Sequence, residues 1–70
     1  MRDVIVSSEP IELFKLLKFD SLVASGGEAK HVIDEGLIRV NGEVETRRRK
    51  KIFAGDRVSF GGVMICVRLE

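Results

Sequence analysis

Between Ser25 and Gly42 the chain carries a helix start signal, a helix stop signal and a hairpin turn, spaced so closely that little choice of local structure remains. Ser25-Gly26-Gly27-Glu28 has the spacing of a capping box, in which the Ser25 hydroxyl accepts from the Glu28 amide while the Glu28 carboxylate reaches back to the Ser25 amide. Ala29, Val32 and Ile33 then recur at helical spacing, and Gly36 stands where a left-handed residue closes a helix of about ten residues. Leu37 is expected to pack back on Val32 as the apolar partner of that cap. Leu37-Ile38-Arg39-Val40 is β-prone, with Ile38 and Val40 on one face and Arg39 turned to solvent, and Asn41-Gly42 is the strongest short hairpin signal.

A strict two-residue turn would set Val40 against Glu43 and Ile38 against Glu45, placing carboxylates on the apolar face. The expected register instead uses a longer loop or a bulge to bring Val44 opposite Val40. After Thr46 comes Arg47-Arg48-Arg49-Lys50-Lys51, five consecutive cations. Such a run repels itself and calls for an anionic partner, although a solvated loop is the ordinary reading of a charge run.

With 70 residues and one cysteine, Cys66, the chain forms one domain that must hold together without an internal disulfide. At 44% hydrophobic and 33% charged residues it can bury a core, and nothing resembles a signal peptide or a membrane span, so a soluble, cytoplasmic protein is expected. Net charge is only +1, but residues 1–38 carry −3 and residues 39–70 carry +4. A fold that gathers the later cations on one side would have a basic face and an acidic back.

In chain order, Val4-Ile5-Val6 reads as a brief edge strand. Ser7 or Ser8 is expected to cap a first helix with Pro10 in its opening turn, followed by Ile11, Leu13, Phe14, Leu16 and Leu17 as the main core element. Lys15 and Lys18 suit its end, and Leu22 is expected to plug the connection. Beyond the basic run, Ala54-Gly55-Asp56 marks a turn, Val58 and Phe60 a half-buried strand, and Gly61-Gly62 a second hairpin. Val63, Ile65, Val67 and Leu69 form the expected core face of the last strand. The fold class is therefore α+β, two short helices packed on a small, mainly antiparallel sheet.

No catalytic constellation, Gly-rich phosphate loop or paired carboxylates are legible, so an enzyme and a small-molecule substrate are not expected. His31 lacks metal-ligand spacing, so no metal or other cofactor is expected, and Cys66 reads as a small packing residue. With no Trp or Tyr, and with Phe14, Phe53 and Phe60 assigned to the core, an aromatic platform for stacking bases is not expected. A helix-turn-helix DNA binder is disfavoured by the long Phe19–Ala24 connection and by Glu28, Asp34 and Glu35 on the second helix. A module docking its basic loop on an acidic protein surface stays open.

Leu13, Leu16 and Leu17, then Ser25 with Glu28-Ala29-Lys30 and Ile33, then Gly36, Ile38 and Val40-Asn41-Gly42, and finally Gly55-Asp56 with Val58, resemble the RNA-binding domain of the ribosomal protein S-four type, also called the alpha-L motif. The resemblance covers about residues 11–60. Ser-Gly-Gly-x-Ala-Lys ahead of a Val-Asn-Gly turn and a basic run is similar in particular to the small stand-alone bacterial branch of that family, the YbcJ type. It implies a non-catalytic module that binds structured RNA, ribosomal RNA or a ribosome assembly intermediate, through a basic face. Carried onto this sequence, that face comprises Lys30, Arg39, Arg47, Arg48, Arg49, Lys50 and Lys51. Ser25, Gly26 and Gly27 at the helix entry and Asn41 and Gly42 at the turn are further candidate contacts. The family's frequent arginine after the helix-capping Ser/Thr is here Gly26, which shifts the expected weight of binding onto the Arg47–Lys51 run.

Overall fold

The computed structural model describes residues 2–70. Strand β1 (Arg2–Val6) is followed by a two-residue strand β2 (Ile11–Glu12), helix α1 (Leu13–Phe19) and helix α2 (Gly26–Asp34). Then come β3 (Ile38–Val40), β4 (Glu43–Val44), β5 (Lys51–Ile52), β6 (Arg57–Phe60) and β7 (Val63–Leu69). The main sheet has the order β1-β7-β6-β3-β4, with β1 parallel to β7 and the other neighbours antiparallel, while β2 and β5 pair separately. The expected class holds: two short helices lie on one face of a mixed, mostly antiparallel sheet.

The core lies between helices and sheet. Leu13, Leu16 and Leu17 of α1 and Ala29 and Ile33 of α2 meet Ile38, Val58, Ile65 and Val67 from the sheet, all fully buried. The spacing of three and four along the helices and of two along the strands puts these residues on facing sides. Ile52 joins them, so the short β5 strand that ends the basic run is pinned in the core.

Helix α2 begins as its sequence dictates. The Ser25 hydroxyl accepts from the Glu28 N–H at 3.1 Å, and the Glu28 carboxylate takes the Ala24 N–H at 2.6 Å, one residue before the expected Ser25. At its far end Gly36 takes φ +74° and the Leu37 N–H donates to the Val32 carbonyl, the left-handed closure that only glycine adopts without strain. The Leu37 side chain, however, is 53% exposed and does not complete the cap as an apolar plug.

Five expectations are corrected. Helix α1 does not start at a serine cap: Glu12 precedes it without a side-chain cap, because Ile11 and Glu12 pair with Ile52 and Lys51 instead. The Asn41-Gly42 hairpin is the strict two-residue turn, pairing Val40 with Glu43 and Arg39 with Val44. The carboxylate conflict is relieved not by a slipped register but by Arg47, which grips the half-buried Glu45, while Glu43 is exposed to solvent. Phe53 is exposed rather than core, and in β7 only Ile65 and Val67 of the expected set are buried, together with Cys66, whereas Val63 and Leu69 at the two ends of the strand are exposed. The plug after α1 is Val23, with Leu22 half-buried beside it.

Candidate nucleic-acid interface

The basic run is built onto the start of α1 by backbone bonds. The first amides of a helix have no partner inside it, and here the Leu13 N–H donates to the Lys50 carbonyl at 2.9 Å and the Phe14 N–H to the Arg48 carbonyl at 3.1 Å. A bond from the Lys50 N–H to the Arg47 carbonyl at 3.2 Å closes the run into a turn, and the β2–β5 pairing fixes its exit. The backbone of five cations is thus held against the helix layer while their side chains face outward.

Carboxylates position two of the five. Arg47 donates from Nε and Nη2 to Glu45 at 2.9 and 3.1 Å, and its backbone N–H adds a third bond to the same carboxylate. Arg48 forks onto Asp34 of α2, with Nε to Oδ1 at 3.0 Å and Nη2 to Oδ2. Arg49 comes no closer than 3.9 Å to Glu12, and its side chain is 83% exposed. Glu12 also takes Lys15 at 3.3 Å. These bonds hold the Asp34 and Glu45 carboxyls below their usual range, through Arg48 and Arg47 respectively, and push the two guanidinium values up. Both pairs are therefore ionised near neutral pH.

Lys30 of α2 lies next to this run. Its ammonium stands 5.4 Å from the centroid of the Phe14 ring, and Lys15 stands 5.8 Å from the same ring. Phe14, Lys30, Asp34, Thr46, Arg48 and Arg49 line a shallow cleft of about 520 Å³. Arg47, Arg49, Lys50 and Lys51 border a neighbouring hollow. Seven cations, Lys15, Lys30 and Arg47 to Lys51, gather here against the three carboxylates that pair with them, leaving four positive charges in surplus.

The other candidates fall elsewhere. Because Ile38 and Val40 face the helices, the pleat turns Arg39 to the opposite, uncovered face of the sheet, where its Nη1 donates to the Gly42 carbonyl at 3.3 Å. Arg39 is thus not part of the surface formed by Lys30 and the basic run. Asn41 ties its turn to the loop before β6, donating to Asp56 and accepting from the Arg57 N–H at 2.9 Å, so its side chain serves the fold. Gly42 borders the open sheet face with Arg57, Ser59 and Met64. Ser25 is occupied as a cap, and Gly26 and Gly27 form the entry turn of α2, where an added Cβ would meet no close neighbour.

Sequence reasoning missed Phe14, Asp34 and Thr46 as members of the basic cleft, and Lys15 beside the Phe14 ring. Asp34 and Lys30 share one helix face at the i, i+4 spacing, a signal available in the sequence. Thr46 directly precedes the run in sequence, whereas Phe14 and Lys15 are brought to it by the bonds from the first amides of α1 and by the β2–β5 pairing, which nothing local announces.

A small α+β domain whose helix layer carries an anchored basic run defines a class, and comparison with known proteins identifies it: the chain belongs to the S4 domain family, whose model matches residues 4–68. Among its relatives, "Putative RNA-binding protein YbcJ" of Escherichia coli (strain K12) is 52% identical over 52 residues, 74% of either chain. "Probable ribosome maturation protein RlbA" of Bacillus subtilis (strain 168) is 37% identical over 57 residues, 81% of this chain and 80% of that one. The solution structure of E. coli YbcJ, described as revealing an ALFAL motif involved in RNA-binding, superposes with a TM-score of 0.72 at 43% identity. That match covers 94% of this chain and 85% of the other. The resemblance read from the sequence is therefore correct at the level of family and fold. No helix among the described residues is long and apolar enough to cross a membrane.

Proposed function

We propose that this chain acts in the cytoplasm as a single, non-catalytic domain that binds structured RNA, with ribosomal RNA or a ribosome assembly intermediate as its partner. The observation that carries this reading is the surplus of cations gathered by Lys30 and the Arg47–Lys51 run on a backbone already fixed to α1. A preorganised cationic surface loses little entropy when phosphates settle on it, and arginine pairs with phosphate bidentately. The relatives support the choice of partner, one named for RNA binding and one for ribosome maturation.

Binding through such a surface is dominated by counterion release. With about four to six phosphates neutralised, log K should fall with log salt at a slope of roughly −3 to −5. Discrimination between sequences should be modest, since an A-form duplex is read by shape, phosphate and 2′-hydroxyl more than by base edges. Fluorescence anisotropy against an RNA hairpin and the matching DNA hairpin at several salt concentrations tests this. Tighter RNA binding with a steep slope supports it, and absence of binding or a flat slope refutes it.

A further inference from the structure

Asp34 sits in the wrong place for a surface selected only to attract phosphate. It lines the basic cleft with Lys30, Thr46, Arg48 and Arg49, and its carboxylate repels any phosphate that the cleft draws in. Asp34 is not the main hold on the basic run either. The basic run is already held by the two backbone bonds onto α1 and by the β2–β5 pairing with Ile52 buried, and an ion pair as exposed as Asp34–Arg48 adds little to that. Holding Arg48 is one task of this carboxylate, and its place inside a phosphate-attracting cleft points to a second.

Its chemistry suggests one. Asp34 is ionised and so can only accept, yet a carboxylate has about four acceptor positions and the Arg48 fork engages one per oxygen. The Asp34 side chain is about half exposed and shares the cleft with the cations that would hold phosphates. In RNA the donor nearest to a phosphate on the sugar-phosphate strand is the ribose 2′-hydroxyl, and DNA has no counterpart. We propose that Asp34 is the group by which this surface selects RNA, accepting a hydrogen bond from a 2′-hydroxyl whose flanking phosphates rest on Lys30, Arg48 and Arg49. The proposal rests on the RNA-binding reading above and deepens it: the cations supply affinity and the single carboxylate supplies the preference for ribose.

The test uses the full chain and two probes, an RNA hairpin and the same hairpin with fluorine replacing every 2′-hydroxyl, which keeps the A-form but removes the donor. Asp34→Ala is compared with wild type and with Glu35→Ala, an equal change of charge one residue away and outside the cleft; circular dichroism checks that both variants fold. A hydrogen bond to a charged acceptor corresponds to a preference of about tenfold for RNA over the fluorinated hairpin in wild type. That preference should fall to about twofold or less in Asp34→Ala, which binds the fluorinated hairpin as tightly as wild type or more so, while Glu35→Ala keeps the preference. If Asp34→Ala shifts both hairpins equally, or Glu35→Ala erases the preference as well, the carboxylate acts by charge or through Arg48 alone and the proposal is wrong. Wild-type binding to RNA with no preference over the fluorinated form overturns this proposal and leaves RNA binding standing, whereas no binding to either hairpin overturns both.

Discussion

The helix side and the open side of the sheet both display arginines, but the two surfaces are built differently. On the helix side, consecutive residues Arg47 to Lys51 leave a turn whose carbonyls bond to the first amides of α1, and Lys30 comes in from α2. On the open side, Arg39, Arg57 and Arg68 stand at alternate strand positions, with Arg68 3.5 Å from Asp3 and with the partly exposed Met64 and Ile5 on the same face. The first surface concentrates charge on a fixed backbone, and the second scatters it over a pleated sheet among apolar side chains. Charge density on a rigid support, rather than the number of arginines, separates a candidate phosphate-binding surface from a solvated one.

The largest effect expected from this contrast is on stability. Ile52 is fully buried and anchors the exit of the basic run, so Ile52→Ala should lower the unfolding free energy by about 2–5 kcal/mol in urea denaturation. Met64→Ala on the open face, 43% exposed, should change it by no more than about 0.5 kcal/mol. Equal losses would mean that the basic run is not tied to the core as described.

Within the run, the cations differ in how firmly they are already engaged. Arg49 has only a 3.9 Å approach to Glu12, whereas Arg47 is held by three bonds to Glu45. Arg49→Ala should therefore weaken RNA binding by about fivefold and reduce the salt slope by about one, with Arg47→Ala having the smaller effect. The reverse order would show that the Glu45 pair positions Arg47 for RNA instead of withholding it. Arg39→Ala, across the sheet, should change affinity by less than about twofold with the salt slope intact. A loss like that of Arg49→Ala would rejoin the two faces.

The smallest effect concerns pH. The folded-state values of Asp34 and Glu45 are lowered by their arginine partners, so in acid the unfolded chain binds more protons than the folded one. The stability these pairs contribute is complete above about pH 5 and is lost as pH falls through the lowered values. A variant carrying Asp34→Asn and Glu45→Gln should lose stability less steeply than wild type between about pH 5 and pH 3. An unchanged slope would contradict the paired state of both residues.

Much of the scaffold was legible because it is local. Ser25 and Glu28 mark the start of α2, Gly36 its end, Asn41-Gly42 the hairpin, and the alternation around Ile65 and Val67 the inward face of β7. What escaped depends on partners far along the chain or on side chains that neutralise one another. The start of α1 was misplaced because Ile11 and Glu12 answer to Ile52 and Lys51, some forty residues later. The hairpin register escapes because Glu45, a bare carboxylate in the sequence pattern, is paired with Arg47 two residues on. The separation of Arg39 from the run escapes for a third reason: it is near Lys30 and the run in sequence, but the pleat turns it to the other side of the sheet.

The most direct measurement compares the two surfaces in one titration of an RNA hairpin across a salt series. Two variants are set beside wild type, one with Arg47, Arg48 and Arg49 changed to Ala and one with Arg39, Arg57 and Arg68 changed to Ala. The account predicts that the first loses about a hundredfold or more in affinity and about two to three from the salt slope, while the second stays within about threefold of wild type. Equal losses from both variants, or a larger loss from the sheet-face variant, would contradict the assignment of RNA binding to the helix side.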